Sequence, residues 1–143
     1  MTRVLSILVL LSSFSWIYPA VDDWEKTRSI AESQHDIVML LIKNKQYDKV
    51  LANSKKIFAL NFPPEREHLK VEHARLASAA LAEQRNFTLA QQILDEALKS
   101  VTSNKSKAIL YKEKAVVCRT AGQDEPAMKY LEEAIRLEQQ TPP

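Results

Sequence analysis

The sequence predicts an all-α protein built from antiparallel helical hairpins. From Asp23 onward the helix-forming residues Ala, Leu, Glu, Lys and Gln dominate, and apolar residues recur at spacings of three and four. The chain of 143 residues contains one glycine, Gly122, whereas β-rich and nucleotide-binding folds usually need several glycines for tight turns and close phosphate approach. Apolar residues make up 45% and charged residues 27% of the chain, a balance typical of one globular domain.

Five short breaks divide the helical region into about six helices. These breaks are rich in residues that end helices or form turns, and they fall at 44–46, 61–64, 84–86, 102–104 and 122–124. Because short connections favour antiparallel neighbours, we expect the helices to pack as consecutive hairpins.

An apolar segment at the N-terminus predicts export. Arg3 precedes an apolar run from Val4 to Leu11 that extends to residue 20, after which Asp22 ends the hydrophobic character. The run is shorter than the roughly 20 residues of a membrane-spanning helix. We therefore expect residues 1–20 to be a secretory signal peptide, with cleavage after Ser15 fitting the small-residue rule, and residues 21–143 to form the helical domain. The protein would then be periplasmic or extracellular; if the segment is not cleaved, it would anchor the protein to the membrane.

No pattern typical of an enzyme, a cofactor site or a metal site occurs in the sequence. The formal charge of +2 does not favour nucleic-acid binding, and phosphate loops, nucleophile elbows and paired cysteines are missing from the sequence. His35, His68 and His73 lack the spacing of three or four that would join two of them on one helix, so we expect solvated or capping histidines. Cys118 lies at a helical apolar position and is expected to be a small buried residue, with a reactive or intermolecular thiol as the alternative.

The helical pattern repeats along the chain. Residues 119–135 align with residues 83–98 once their turns are superposed, and the shared positions are Ala90, Leu94, Ala97 and Leu98 in one copy, and Ala127, Leu131, Ala134 and Ile135 in the other. Alanines seven residues apart lie on one helix face, where their small side chains allow a neighbouring helix to approach closely. A third and more degenerate copy lies at 45–64, in which Tyr47 corresponds to Phe87 and Val50 to Ala90.

These copies resemble the tetratricopeptide repeat (TPR) family, with repeats at about 31–64, 71–104 and 108–141. Gly122 occupies the position where the family favours a left-handed turn residue, and Arg85 replaces it in the middle copy. The copies begin 40 and 37 residues apart instead of the family's roughly 34, so insertions must separate them. The resemblance implies a short right-handed α-solenoid.

By the same resemblance, the first helix of each hairpin would line a concave groove that binds a partner. The groove residues expected on this basis are His35, Met39, Ile42, Arg75, Glu83, Lys112, Val116 and Arg119. Family members that clamp a peptide carboxylate use Lys and Asn where this chain has His35 and Met39, so that mode of binding is not expected. The resemblance implies a non-catalytic protein–protein interaction module or adaptor for an amphipathic or mildly acidic segment.

Two alternatives accompany this interpretation. A self-associating structural bundle without a groove would bury Met39, Ile42 and Val116 against each other. Solenoids also end in a polar capping helix, which the printed sequence does not supply after the third hairpin. We therefore expect an apolar edge at Tyr130 and Leu137 that could contact a partner or a second copy. Trp24 is expected to pack across the end of the first hairpin, with a partner anchor as the alternative.

Overall fold

A computed structural model of the protein describes residues 23–143, so the expected signal peptide or anchor at 1–20 lies outside the described residues. Within that range all regular secondary structure is helical, as predicted, and no strand occurs. The helices are α1 (Asp23–Lys43), α2 (Tyr47–Phe58), α3 (His68–Glu83), α4 (Phe87–Ser100), α5 (Asn104–Thr120) and α6 (Asp124–Gln139), with a 3-10 turn at Pro64–Arg66. None of the helices in residues 23–143 is both long enough and apolar enough to span a bilayer.

Consecutive helices pack in pairs, and the pairs are stacked. Helix α1 packs on α2, α3 on α4, and α5 on α6. The first helices of the pairs form one row, in which α3 contacts both α1 and α5, while α2 contacts α4 in a second row. Helices α1 and α5 do not approach each other, so the described helices form a two-layer stack with α3 and α4 in the middle.

The three hairpin turns share one backbone conformation. Lys45, Arg85 and Gly122 have φ angles of 57°, 61° and 74°, which is the left-handed region. In each turn the next residue donates its N–H to a carbonyl five residues earlier, as from Gln46 to Leu41 at 2.9 Å; this is the Schellman motif that ends many helices. The left-handed positions predicted at Arg85 and Gly122 are therefore confirmed, and the degenerate first copy has its own at Lys45.

The core is continuous from α1 to α5 and thinner at α6. The repeated small positions Ala90, Ala97, Ala127 and Ala134 are all at most 2% exposed, so these alanines do allow close helix approach. Buried residues of the first five helices form one apolar cluster. The buried residues of α6 belong instead to two small clusters shared with α5.

The exposed apolar edge of α6 is not the one expected from the sequence. Leu137 is only 5% exposed, and Tyr130 is half-buried with its ring 6.0 Å from that of Tyr111. Both residues face α5, because positions seven apart share one face of a helix. Met128, Leu131 and Ile135 are exposed instead, on the side of α6 that corresponds to the side of α4 packed by the next hairpin.

Glu67 joins the start of α3 to the start of α5. Its carboxylate accepts hydrogen bonds from the Thr102 hydroxyl at 3.1 Å, the Ser103 N–H at 3.2 Å and the Ser106 hydroxyl at 2.9 Å, as well as from the Thr102 N–H. Partial burial raises the pKa of Glu67, but these hydrogen bonds outweigh it and bring the pKa to about 2. Both inter-hairpin connections are therefore held by one ionised side chain, which the sequence analysis did not identify.

Candidate partner-binding groove

An open groove of about 600 Å³ lies between the N-terminal half of α1 and α3; we refer to it as the α1–α3 groove. Its floor includes Ile57 of α2, and its walls are formed by side chains of the two helices. Because α1 and α3 are the first helices of their hairpins, this groove lies in the row of helices where a partner site was expected.

Aromatic side chains close one end of the groove. The ring of Trp24 meets that of Phe62 edge-on at 5.4 Å, and the Arg66 guanidinium lies 5.7 Å from the Trp24 ring. Phe62 precedes two prolines that cannot continue α2, so the chain leaves the helix and places this ring beside the start of α1. The expectation that Trp24 packs across the end of the first hairpin is confirmed.

A chain of polar side chains forms the base of the groove. The Nδ1 atoms of His35 and His73 are 2.8 Å apart, and the Nε2 atom of His73 is 3.2 Å from the Ser54 hydroxyl. One of the two facing Nδ1 atoms must carry a proton and the other must accept it. This chain of hydrogen bonds therefore links α1, α3 and α2.

The prediction of solvated or capping histidines is wrong for His73, which is 4% exposed, and His35 is half-buried. Only His68 is exposed, with its Nδ1 atom 3.2 Å from the Glu65 carbonyl oxygen. The spacing rule considers neighbours on one helix, whereas His35 and His73 are brought together by the packing of α1 on α3. No sequence signal identified this pair.

Burial keeps His73 neutral. Desolvation, aided by the repulsion of a positive charge on His35, lowers the pKa of His73 to about 3. Among the described residues, no three His, Cys, Asp or Glu side chains are placed to hold a metal ion. The base of the groove consists of the hydrogen-bonded side chains of His35, His73 and Ser54.

The rim of the groove carries paired charges around an exposed apolar residue. Arg28 and Glu32 form an ion pair at 2.8 Å on α1, and Glu72 pairs with Arg75 at 3.2 Å on α3. Leu76, one turn along α3, is 45% exposed. A partner that contacts this rim would meet charges of both signs and one large apolar side chain.

Ile42 is not available to a partner. It is 1% exposed and belongs to the main apolar cluster, and its carbonyl oxygen accepts a hydrogen bond from the Gln84 side chain. Met39 is half-buried and packs against the same cluster. Both residues lie on the side of α1 that faces the hairpin core, so the expectation that Ile42 lines a groove is wrong.

Two of the expected groove residues bridge helices instead. The Arg75 guanidinium is 2.8 Å from the Glu113 carboxylate of α5, and Lys112 pairs with Glu138 of α6. Glu83 and Arg119 are exposed, and Val116 is 51% exposed. Of the eight expected residues, His35 alone lines the α1–α3 groove. Arg75 reaches only its rim, through the ion pair with Glu72, while Glu83 and the three α5 residues lie further along the row.

The Cys118 side chain is buried, as predicted. It is 4% exposed, and desolvation raises the pKa of its thiol. Its sulfur accepts a hydrogen bond from the Gln91 amide at 3.3 Å. A thiol that is buried and protonated is a packing residue rather than a nucleophile.

Comparison with known proteins gives no relative from which a function could be transferred. No protein-family model, no curated protein and no solved structure matches the chain.

Proposed function

We propose that the protein is a non-catalytic protein-interaction module, built as a short TPR-like array, that holds a partner segment along the row formed by α1, α3 and α5. The observation that carries this proposal is the open α1–α3 groove within a regularly repeated scaffold, whose left-handed turn residues are Lys45, Arg85 and Gly122. The stacking of the first helices in one row supports it, since TPR-like arrays expose that row to partners.

The groove favours an amphipathic partner segment. Phe62 and Leu76 offer apolar surface within it, Ile57 lies buried at its floor, and the surrounding rim has charges of both signs. An inserted apolar side chain would be desolvated against Leu76, while flanking polar residues would stay at the wet rim. The alternative of a closed structural bundle is less well supported, since Val116 is 51% exposed and α1 does not approach α5.

The Ser54, His73 and His35 chain has the order of a nucleophile, a base and an orienting group, but we do not propose hydrolysis. Ser54 has no exposed surface and His73 is only 4% exposed. A substrate carbonyl cannot approach a hydroxyl that is enclosed on all sides. We therefore assign this chain a supporting role beneath the groove.

The test is binding selection with the Leu76→Glu variant. Peptides selected on the wild-type chain from a random library should share an apolar anchor residue and should bind Leu76→Glu at least about tenfold more weakly, because a buried contact of this kind contributes about 1.5–3 kcal/mol. Ile135→Glu is the matched control, since Ile135 is 52% exposed on α6. Equal binding to both variants, or failure to select any peptide, would remove the groove as the partner site.

We also propose that the module acts outside the cytoplasm, after export directed by residues 1–20. The support is the apolar run that ends at Asp22. Mass spectrometry of the protein recovered from the exported fraction should give an N-terminus within or just after residues 1–20. Recovery of the intact chain from the cytoplasm would refute export.

A further inference from the structure

Apolar side chains are exposed at both ends of the stack. On α6 they are Met128 at 57%, Leu131 at 37% and Ile135 at 52% exposed, and together they form what we call the α6 face. On α1 the corresponding set, the α1 face, comprises Ile30 at 45%, Ile37 at 45% and Leu40 at 55% exposed. Both sets follow helical spacing, so each forms a stripe along its helix.

These stripes occupy repeat positions that are covered inside the stack. When the turns at Arg85 and Gly122 are superposed, Leu131 and Ile135 of α6 fall on Leu94 and Leu98 of α4. Leu94 is fully buried and Leu98 is half-buried. The difference is that α5 packs on α4, whereas no described helix follows α6.

The same superposition applies at the other end. With the turns at Lys45 and Gly122 aligned, Ile37 and Leu40 of α1 fall on Lys114 and Val117 of α5. Those two residues are 4% and 3% exposed, because α5 packs on the preceding hairpin. The α1 face is thus the surface that a preceding hairpin would cover, and the α6 face is the surface that a following hairpin would cover.

The contacts at the internal junctions specify which residues would meet. Gln91 of α4 donates to the Lys114 carbonyl at 3.0 Å, and these positions correspond to Met128 and Ile37. Likewise, Lys70 donates to the Phe58 carbonyl at 2.8 Å.

The contact between Lys70 and the Phe58 carbonyl also has equivalent positions at the two ends of the stack. The Lys70 position corresponds to Ile30, and the Phe58 position corresponds to Ile135. At each internal junction a polar side chain donates to a backbone carbonyl, whereas Ile30 and Met128 place apolar side chains at the positions of the donors Lys70 and Gln91.

We propose that copies of this chain associate head to tail, with the α6 face of one copy against the α1 face of the next. The interface would repeat the internal junctions, pairing Met128 with Ile37 as at the α4–α5 junction and Ile135 with Ile30 as at the α2–α3 junction. It joins two different surfaces, so it is heterologous and extends to further copies unless the rotation closes a ring. This proposal is independent of the α1–α3 groove.

Cross-linking of single-cysteine variants tests the geometry directly. Ile30→Cys and Ile135→Cys are each mixed with a short bis-maleimide, alone and together, with the wild-type chain reporting any background from buried Cys118. A head-to-tail interface gives a dimer band in the mixture of the two variants and none in either variant alone. Dimers of Ile135→Cys alone would show a two-fold contact between α6 faces and would overturn the proposal.

Sedimentation velocity tests the energetics. The average mass of the wild-type chain should rise with concentration, and Met128→Glu or Ile37→Glu should hold the protein monomeric. Gln92→Glu is the control, since Gln92 is exposed on α4 and belongs to neither end face, and it should associate like wild type. A wild-type chain that stays monomeric at all concentrations overturns the proposal. The same monomeric result is expected if residues 1–22 or another protein cover these faces instead of a second copy.

Discussion

His73 is the residue whose chemistry is most altered by the fold. It is buried between α1, α2 and α3, where the facing groups are the half-buried His35 ring and the Ser54 hydroxyl. A charged imidazole in this place would have no acidic partner among the groups to which it is hydrogen-bonded, and its pKa falls to about 3. Folding therefore requires the neutral ring.

We expect this requirement to make stability depend on pH between about 6.5 and 3. The unfolded state binds a proton at His73 at pH values where the folded state does not. The contribution of the neutral ring to the free energy of unfolding is therefore fully present above pH 6.5 and decreases as the pH falls. At pH 5 the loss should be about 2 kcal/mol. Urea unfolding of wild type and His73→Gln at pH 7 and pH 5 measures it. The variant should lose this difference, whereas His68→Gln, at an exposed site, should keep it.

Glu67 gives a second and separate pH window. Its pKa of about 2 lies below the ordinary value of 4.5, so its contribution is present above pH 4.5 and is lost as the pH falls towards 2. We expect Glu67→Gln to lower the free energy of unfolding at pH 7 by about 1–2 kcal/mol, after allowance for its solvent exposure. Glu65→Gln, on the exposed 3-10 turn, is the matched control. Equal effects of the two substitutions would contradict the role assigned to Glu67.

At the scale of the elements, the three hairpin turns share one backbone geometry, although the turns at Lys45 and Arg85 lack glycine. A residue with a Cβ in the left-handed region costs roughly 1–2 kcal/mol relative to its preferred conformations. Lys45 and Arg85 accept this cost because the turn is fixed by the helices on either side. Gly122 avoids it.

We expect Lys45→Gly to raise the free energy of unfolding by about 0.5–1 kcal/mol, since relief of the left-handed strain exceeds the added backbone entropy of glycine. Arg85→Gly should gain less, because the Arg85 guanidinium also lies 5.5 Å from the Phe87 ring. Thermal and urea unfolding measure both. Lys43→Gly, two residues earlier at the last residue of α1, should instead destabilise by up to about 1 kcal/mol, and a loss of stability in Lys45→Gly would contradict the strain assigned to Lys45.

The elements were predictable from sequence to a large extent because their determinants are local. Helix-forming composition and the turn residues at 44–46, 84–86 and 122–124 predicted the number and order of the helices. Side-chain burial depends on which helices pack together, and there the prediction was weaker. Ile42 was expected in a groove but faces the core. The exposed edge of α6 is formed by Leu131 and Ile135, the residues that align with Leu94 and Leu98 of α4. The His35 and His73 pair could not be predicted, since no local pattern joins residues 38 apart.

At the scale of the whole molecule, the helices of the stack are unequally protected against local opening. Helices α3 and α4 have neighbours on both sides, whereas α6 contacts α5 alone among the described helices. The buried residues of α6 are Ala127, Ala134 and Leu137, of which two are alanines that contribute little apolar area. Local opening should therefore begin at α6.

Native-state hydrogen exchange measures this gradient. Amides of α6 should exchange through a local opening of lower free energy than amides around Leu81 and Leu94, which should open only with global unfolding. If copies associate head to tail, raising the protein concentration should slow exchange in α6 and α1 and leave α4 unchanged. Uniform exchange rates in all helices would show instead a single cooperative unit.

His35 and Arg75 occupy the same position in the first and second repeats, but each makes a chemically different contact with the next hairpin. His35 meets the neutral His73 ring between the first two hairpins, and Arg75 meets the charged Glu113 carboxylate between the second and third. Salt screens the exposed ion pair and has little effect on the uncharged His73 ring, whereas mild acid destabilises the first junction, because only the unfolded state binds a proton at His73. Ionic strength should therefore act mainly on the contact between the second and third hairpins, and acidity mainly on the contact between the first and second, so two different solution conditions weaken the row at two different places.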